Sequence, residues 1–256
     1  MRNKKILYVT TELHPYQEDS NMGMMVNKMA LKMHQEGNDV RVFMPRFGCI
    51  SERKFQLHEV IRLSGMNIII NDLDQPLIIK VASLPGERLQ VYFIDNDEYF
   101  KRKNYYGDDE TKFFDDNDER AIFFARGVIE TIKKLNWVPD IIHLNGWMSA
   151  FIPIYLKTFY KKDSYFNDTK IVMSLYNEIS VPFNNNIEEK LKFDNISNFT
   201  SIKNPGSDSF LLESIDFVDV VLKGDEFLEG DLDAKFNSTN VQKSEYLGSE
   251  SFNKIY

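Results

Sequence analysis

The chain has 256 residues, 43% hydrophobic and 13% aromatic, with a net charge of −8. That is enough apolar material for a sizeable core, and the acidic balance excludes the basic footprint of a nucleic-acid binder. No apolar run approaches the ~20 residues of a membrane span.

The basic start (Arg2, Lys4, Lys5) is followed only by the apolar residues 6–9, too short for a signal-peptide core. A lone Cys49 makes no internal disulfide, so a reducing, cytoplasmic setting is expected. Three Asn-x-Ser/Thr sites, at Asn167, Asn195 and Asn198, mean little in that setting.

In chain order, residues 6–9 read as a buried strand that ends in a polar turn, and the loop 17–23 leads into a helix starting near Gly23. A strand, a loop and a helix N-terminus form a ready seat for a phosphate or sugar-nucleotide. Val26, Met29, Ala30 and Met33 give that helix an apolar stripe, and Gly37 stops it. Residues 40–44, closed by Pro45, make a second strand and complete a crossover unit. Between Cys49 and Asp95 the pattern changes to short apolar runs at 60–63, 67–70, 77–82 and 89–94. Turn signals at Ser64-Gly65, Asn71-Asp72 and Pro85-Gly86 separate them, which predicts hairpins plus one strand rejoining the main sheet.

An acidic loop, 108–119, precedes an amphipathic helix with Ala121, Ala125, Val128, Ile132 and Leu135 on one face and Asp116 or Asn117 as N-cap. The loop lacks the central Gly and closing Glu of an EF-hand, and the helix dipole explains its charge. Residues 139–143 predict a short strand, and 147–160 a helix kinked at Pro153. A strand at 170–175, a helix at 187–193, a loop at 195–209, a short helix at 210–215 and a strand at 218–222 follow. The polar tail 230–256 is expected to be peripheral, with weak helical signals near its end. Alternating strands and helices predict one α/β domain over 1–256: a Rossmann-like parallel sheet flanked by helices, with a β-hairpin excursion. A dinucleotide dehydrogenase is excluded, because Gly23 is the sole glycine of the first loop.

Four segments occur in an order of their own: Glu12-Leu13-His14-Pro15-Tyr16; Val91-Tyr92-Phe93-Ile94-Asp95-Asn96 with Glu98-Tyr99-Phe100 and Tyr106-Gly107; NDERAIFF at 117–124; and WVPDIIHLNGWMSA at 137–150. Together they resemble bacterial glycogen and starch synthases from residue 4 to about 180, and more weakly to about 225. The resemblance implies the N-terminal half of a GT-B fold, in a family that moves glucose from ADP-glucose to an α-1,4-glucan with retention. It implies neither a cofactor nor a metal. In that family the N-terminal half mostly receives the glucan, and the other half holds the nucleotide and supplies basic groups to the leaving diphosphate.

Several positions depart from the family. Its loop Lys-Thr-Gly-Gly reads Glu18-Asp19-Ser20-Asn21 here, so an anion stands where a phosphate-facing lysine is expected. A unit charge pair at 4 Å in an intermediate dielectric is worth about 4 kcal/mol, and reversing one sign roughly doubles the difference. Gly146 replaces an aspartate near the sugar, Met148 a histidine, and Tyr176 a histidine near the reacting centre, while Asn177 keeps the following asparagine. No catalytic residue is assigned with these four positions (Glu18, Gly146, Met148, Tyr176) altered. Tyr16, Asn145, Trp147, Asn177 and His143 are the candidates for substrate contact.

The segment 217–222 resembles the end of the family's acceptor half, so the donor half is expected to be missing. The reading that follows is a synthase-like protein inactive by itself, which binds a glucan, ADP-glucose or a full-length synthase. Two alternatives are a transferase completed in trans by a separate donor-domain protein and a structural adaptor.

Overall fold

In the computed structural model, which describes residues 3–108, 112–184, 186–246 and 256, one mixed sheet runs through the molecule. Its strands are β1 (Lys5–Thr10), β2 (Asp39–Pro45), β3 (His58–Glu59), β4 (Met66–Ile70), β5 (Leu73–Ser83), β6 (Gln90–Asp95), β7 (Ile141–Asn145), β8 (Lys170–Leu175), β9 (Val220–Lys223) and β10 (Gln242–Ser244). The helices are α1 (Asn21–Gln35), α2 (Glu52–Phe55), α3 (Asp97–Phe100), α4 (Asn117–Leu135), α5 (Phe151–Lys157), α6 (Ile187–Phe193), α7 (Ser207–Ser214) and α8 (Gly230–Ser238). Strand order is β10-β9-β8-β7-β1-β2-β6-β5-β3, with β4 paired to β5. From β10 to β6 every pairing is parallel; β5 returns antiparallel, and carries β3 and β4 antiparallel in turn.

The two middle strands are buried on both faces, as parallel strands covered by helices must be. Ile6, Leu7, Tyr8 and Val9 of β1, and Ile142 and Leu144 of β7, have no exposed surface. Chain direction around the sheet reverses between β1 and β7. β1 connects outward to β2 and β6, whereas β7 begins the run toward β10. The crevice outside the carboxyl ends of these two strands is where doubly wound sheets bind ligands.

Most expected elements form, and the differences have local causes. α1 begins at Asn21 rather than near Gly23, because Ser20 is a fitted N-cap: its hydroxyl accepts the Gly23 amide at 2.9 Å. Residues 60–63 form no strand: Val60 N donates to Ile79 O at 2.8 Å, and the chain then turns, with Leu63 N donating to Val60 O at 2.8 Å. The Asn71-Asp72 signal is a two-residue hairpin with φ +48° and +64°, joining β4 to β5.

Residues 147–160 are not one kinked helix. A 3-10 turn (Trp147–Ala150) hands over to α5, which stops at Lys157. Pro153 falls in the first turn of α5, where its missing N–H has no intrahelical partner to lose. Within the expected loop 195–209 there is a 3-10 turn (Thr200–Lys203), and α7 already starts at Ser207. The tail from Gly230 contributes α8, whose Phe236 is buried, and β10 on the sheet edge. The weak helical signals near the chain end fall on 247–255, outside the described residues, as do 109–111 of the acidic loop.

No helix among the described residues is long and apolar enough to cross a membrane.

Candidate functional site

Two clefts open at the carboxyl edge of the sheet. The first, of about 240 Å³, lies at the switch point over the N-terminus of α1 and is lined by Glu12, Ser20, Asn21, Met22, Tyr106 and Asp225, among others. The second, of about 230 Å³, lies toward α7 and α8; Trp147, Asp208, Glu229 and Asp231 form much of it. Tyr176, Asn177 and Glu178, the residues that follow β8, line both and form the wall between them.

This wall is held from below and from the side. The Tyr176 hydroxyl donates to Asn145 Oδ1 at 3.2 Å, and its ring lies on Gly224, where any Cβ would overlap it. Asn177 is a bracket for the loop after β9. Its backbone N–H donates to Asp225 Oδ2 at 2.7 Å, its Nδ2 to Phe227 O at 2.7 Å, and its Oδ1 accepts from Glu229 N at 3.0 Å. The half-buried Glu178 accepts from Trp147 N at 3.3 Å. Burial, together with the charges of Glu12, Asp208 and Asp225, pushes its carboxyl up to about 8.

At the first cleft the helix terminus is already occupied. Ser20 takes the Gly23 amide, and Asn21 Nδ2 donates to Asp225 Oδ1 and to Gly224 O. Glu12, Glu178 and Asp225 surround this terminus, and among the described residues no lysine or arginine lines either cleft. Among the described residues none of these carboxylates has a cationic side-chain partner. Among the same residues no three His, Cys, Asp or Glu side chains come together as a metal ion requires.

The sequence candidates distribute unevenly over this geometry. Trp147, Tyr176 and Asn177 line the clefts. Asn145 lies fully buried beneath Tyr176, donating to Val9 O and His143 O. His143 is also fully buried; Nε2 is hydrogen-bonded to Ser174 Oγ and Nδ1 to the Tyr256 hydroxyl, each at 2.7 Å. Burial lowers its pKa to about 3, so it stays a neutral imidazole with both nitrogens engaged. Tyr16 packs on Phe55 and Phe93 and donates to Ser83 O at 3.1 Å, away from both clefts. Met148 is buried.

Gly146 has φ +86° and ψ 148°, and a Cβ there would overlap Thr11 Oγ1. The residue is therefore dictated by the backbone as well as lacking an acceptor. Glu18 is exposed and lines neither cleft; its charge bears on Cys49 and Tyr105. The carboxylates that face an incoming anion are Glu12, Glu178 and Asp225. Sequence reasoning assigned none of them a role. Glu178 carried one usable signal, a carboxylate directly after the candidate Asn177 at a strand end.

The starch synthase catalytic domain family profile matches residues 5–225. Glycogen synthase of Chlorobium limicola is 38% identical over 177 residues, covering 69% of this chain and 36% of its own length. That of Chlorobaculum tepidum is 37% identical over 179 residues, with the same coverage. The chain thus spans a little over a third of the length of these curated relatives. Among solved structures, the catalytic domain of starch synthase IV from Arabidopsis thaliana, bound to ADP and acarbose, superposes with a TM-score of 0.69 at 17% identity, covering 86% of this chain and 44% of that one. This likeness establishes the GT-B type of fold.

Proposed function

The chain belongs to the starch synthase catalytic domain family, and from that premise we propose that it is a glucan-binding, acceptor-side lobe that transfers no glucose by itself. The observation that carries this reading is the charge at the switch point. Glu12, Glu178 and Asp225 surround the α1 terminus where a diphosphate would rest, with no cationic side chain beside them among the described residues. Retaining transfer develops negative charge on the leaving diphosphate, which needs preorganised donors or cations. Here Ser20 has taken one helix-terminal amide, and the carboxylates repel an incoming diphosphate. A neutral glucan escapes that repulsion, and carboxylates and the Asn177 amide suit its hydroxyls. We place this activity in the cytoplasm, in keeping with one exposed, unpaired Cys49.

A second reading is favoured by one observation. Ile179, which lines the first cleft, is 46% exposed, and Phe227, whose carbonyl accepts from Asn177 in the wall, is 75% exposed. Exposed apolar side chains around an open crevice suit a second lobe closing over it, supplied by another chain or a longer one. The experiment is glycogen affinity electrophoresis alongside incorporation of labelled ADP-glucose. Retardation by glycogen without incorporation supports the first reading. Incorporation only after adding a donor-lobe protein supports the second. Incorporation by this polypeptide unaided contradicts the first.

A further inference from the structure

Polar side chains cross the apolar middle of the sheet in an unbroken line. Tyr8 on β1 and His143 on β7 are register partners with ring centroids 5.3 Å apart, and both are fully buried. Tyr256, which belongs to no helix or strand, sets its ring edge-on against both. Its hydroxyl lies 2.6 Å from that of Tyr8 and 2.7 Å from His143 Nδ1. On the far side of the imidazole, Nε2 meets Ser174 Oγ at 2.7 Å. The line then reaches the cleft wall: burial raises the Tyr176 pKa, and a hydrogen bond from Ser174 opposes that rise.

One order of protons gives every donor in this line an acceptor. Tyr8 donates to the Tyr256 oxygen, Tyr256 to His143 Nδ1, His143 Nε2–H to Ser174, Ser174 to Tyr176, and Tyr176 to Asn145 Oδ1. The reverse order leaves the Tyr8 proton without an acceptor among the described residues. A hydroxyl at the position of Tyr256 is therefore required twice, as acceptor from Tyr8 and as donor to His143. A bare ring there would fill the space and leave a buried imidazole nitrogen unpaired.

We propose that the space beside Tyr8 and His143 is a socket for a tyrosine side chain, filled here by Tyr256 of the chain itself, and that a free phenol takes its place when Tyr256 is removed. The filled socket fixes the protonated nitrogen of His143 as Nε2 and, through Ser174, orients the Tyr176 hydroxyl under the wall that the two clefts share. The site is separate from the glucan reading: it takes a neutral aromatic hydroxyl, and it lies on the sheet between β1 and β7 instead of in either cleft.

The test is titration of Tyr256→Gly with para-cresol, followed by nitrogen NMR of the His143 imidazole. Toluene serves as the same shape without the hydroxyl. Para-cresol is expected to bind about tenfold more tightly than toluene, the worth of a buried hydrogen-bonded hydroxyl, and to return the His143 signals to their wild-type positions. The unaltered chain, its socket filled, should show no change. Equal affinity for toluene, equal binding of para-cresol by the unaltered chain, or no response of His143 at millimolar para-cresol would each overturn the proposal. Tyr256→Phe keeps the ring and gives a second reading should the glycine variant fail to fold. The unaltered chain should carry the His143 proton on Nε2, and Tyr256→Phe should shift the Nδ1 signal. A proton on Nδ1 in the unaltered chain, or an unmoved Nδ1 signal in Tyr256→Phe, contradicts the socket. Glycogen retention on the same preparations reads the acceptor-lobe assignment independently.

Discussion

Gly146 holds φ +86° directly against Thr11, so a side chain at this position meets both backbone strain and a filled space. Gly146→Ala is expected to cost about 2 kcal/mol in urea unfolding, from the strained φ alone. Thr11→Ala in the same chain recovers part of this, so the double variant costs less than the sum of the two single changes. Gly146→Asp therefore destabilises the protein instead of restoring a sugar contact. Glu18→Lys leaves Glu12, Glu178 and Asp225 where they are, so titration with ADP-glucose should show no gain in affinity.

Trp147, Tyr176 and Asn177 were legible in the sequence because they follow strand ends in the family's order. Glu12, Glu178 and Asp225 were not, since only the sheet brings the ends of β1, β8 and β9 to one crevice. Glu18 misled for the opposite reason. Position in a motif marks the loop, but Glu18 is exposed and lines neither cleft.

Elements are tied together by a few buried charges whose removal is informative. Lys190 on α6 reaches Asp118 on α4 at 2.7 Å and Glu119 at 2.9 Å, with Lys190 and Asp118 almost wholly buried. Burial raises the Asp118 pKa, and Lys190 opposes it. Lys190→Ala strands that carboxylate and should cost on the order of 3 kcal/mol. Lys190→Ala with Asp118→Ala should cost less than the sum.

In the central strands His143 is held neutral: its folded pKa of about 3 lies below its ordinary 6.5. Unfolding therefore takes up a proton between those values, so the contribution is whole above pH 6.5 and is lost as pH falls toward 3. Its imidazole resonances should still report the neutral form at about pH 4.5. Helix periodicity made α1 and α4 legible, with the Gly37 stop for α1, and β-run length made β1, β2, β7 and β8 so. The 3-10 turn at Trp147–Ala150 was not, because its four residues are all buried and give no polar face to count.

At the scale of the molecule, the parallel sheet and its hairpin excursion were legible from the alternation of runs. The electrostatic character of its carboxyl edge was not, because net charge does not say where charge collects. The sheet gathers carboxylates of distant segments in one cleft over the N-terminus of α1. An anionic crevice of this kind repels a sugar-nucleotide through several charges at once, each screened to about 1–4 kcal/mol at contact.

Calorimetric titration of the purified chain with ADP-glucose near neutral pH tests this most directly. The account predicts no binding heat in the micromolar range. A saturable isotherm with a micromolar dissociation constant would contradict it.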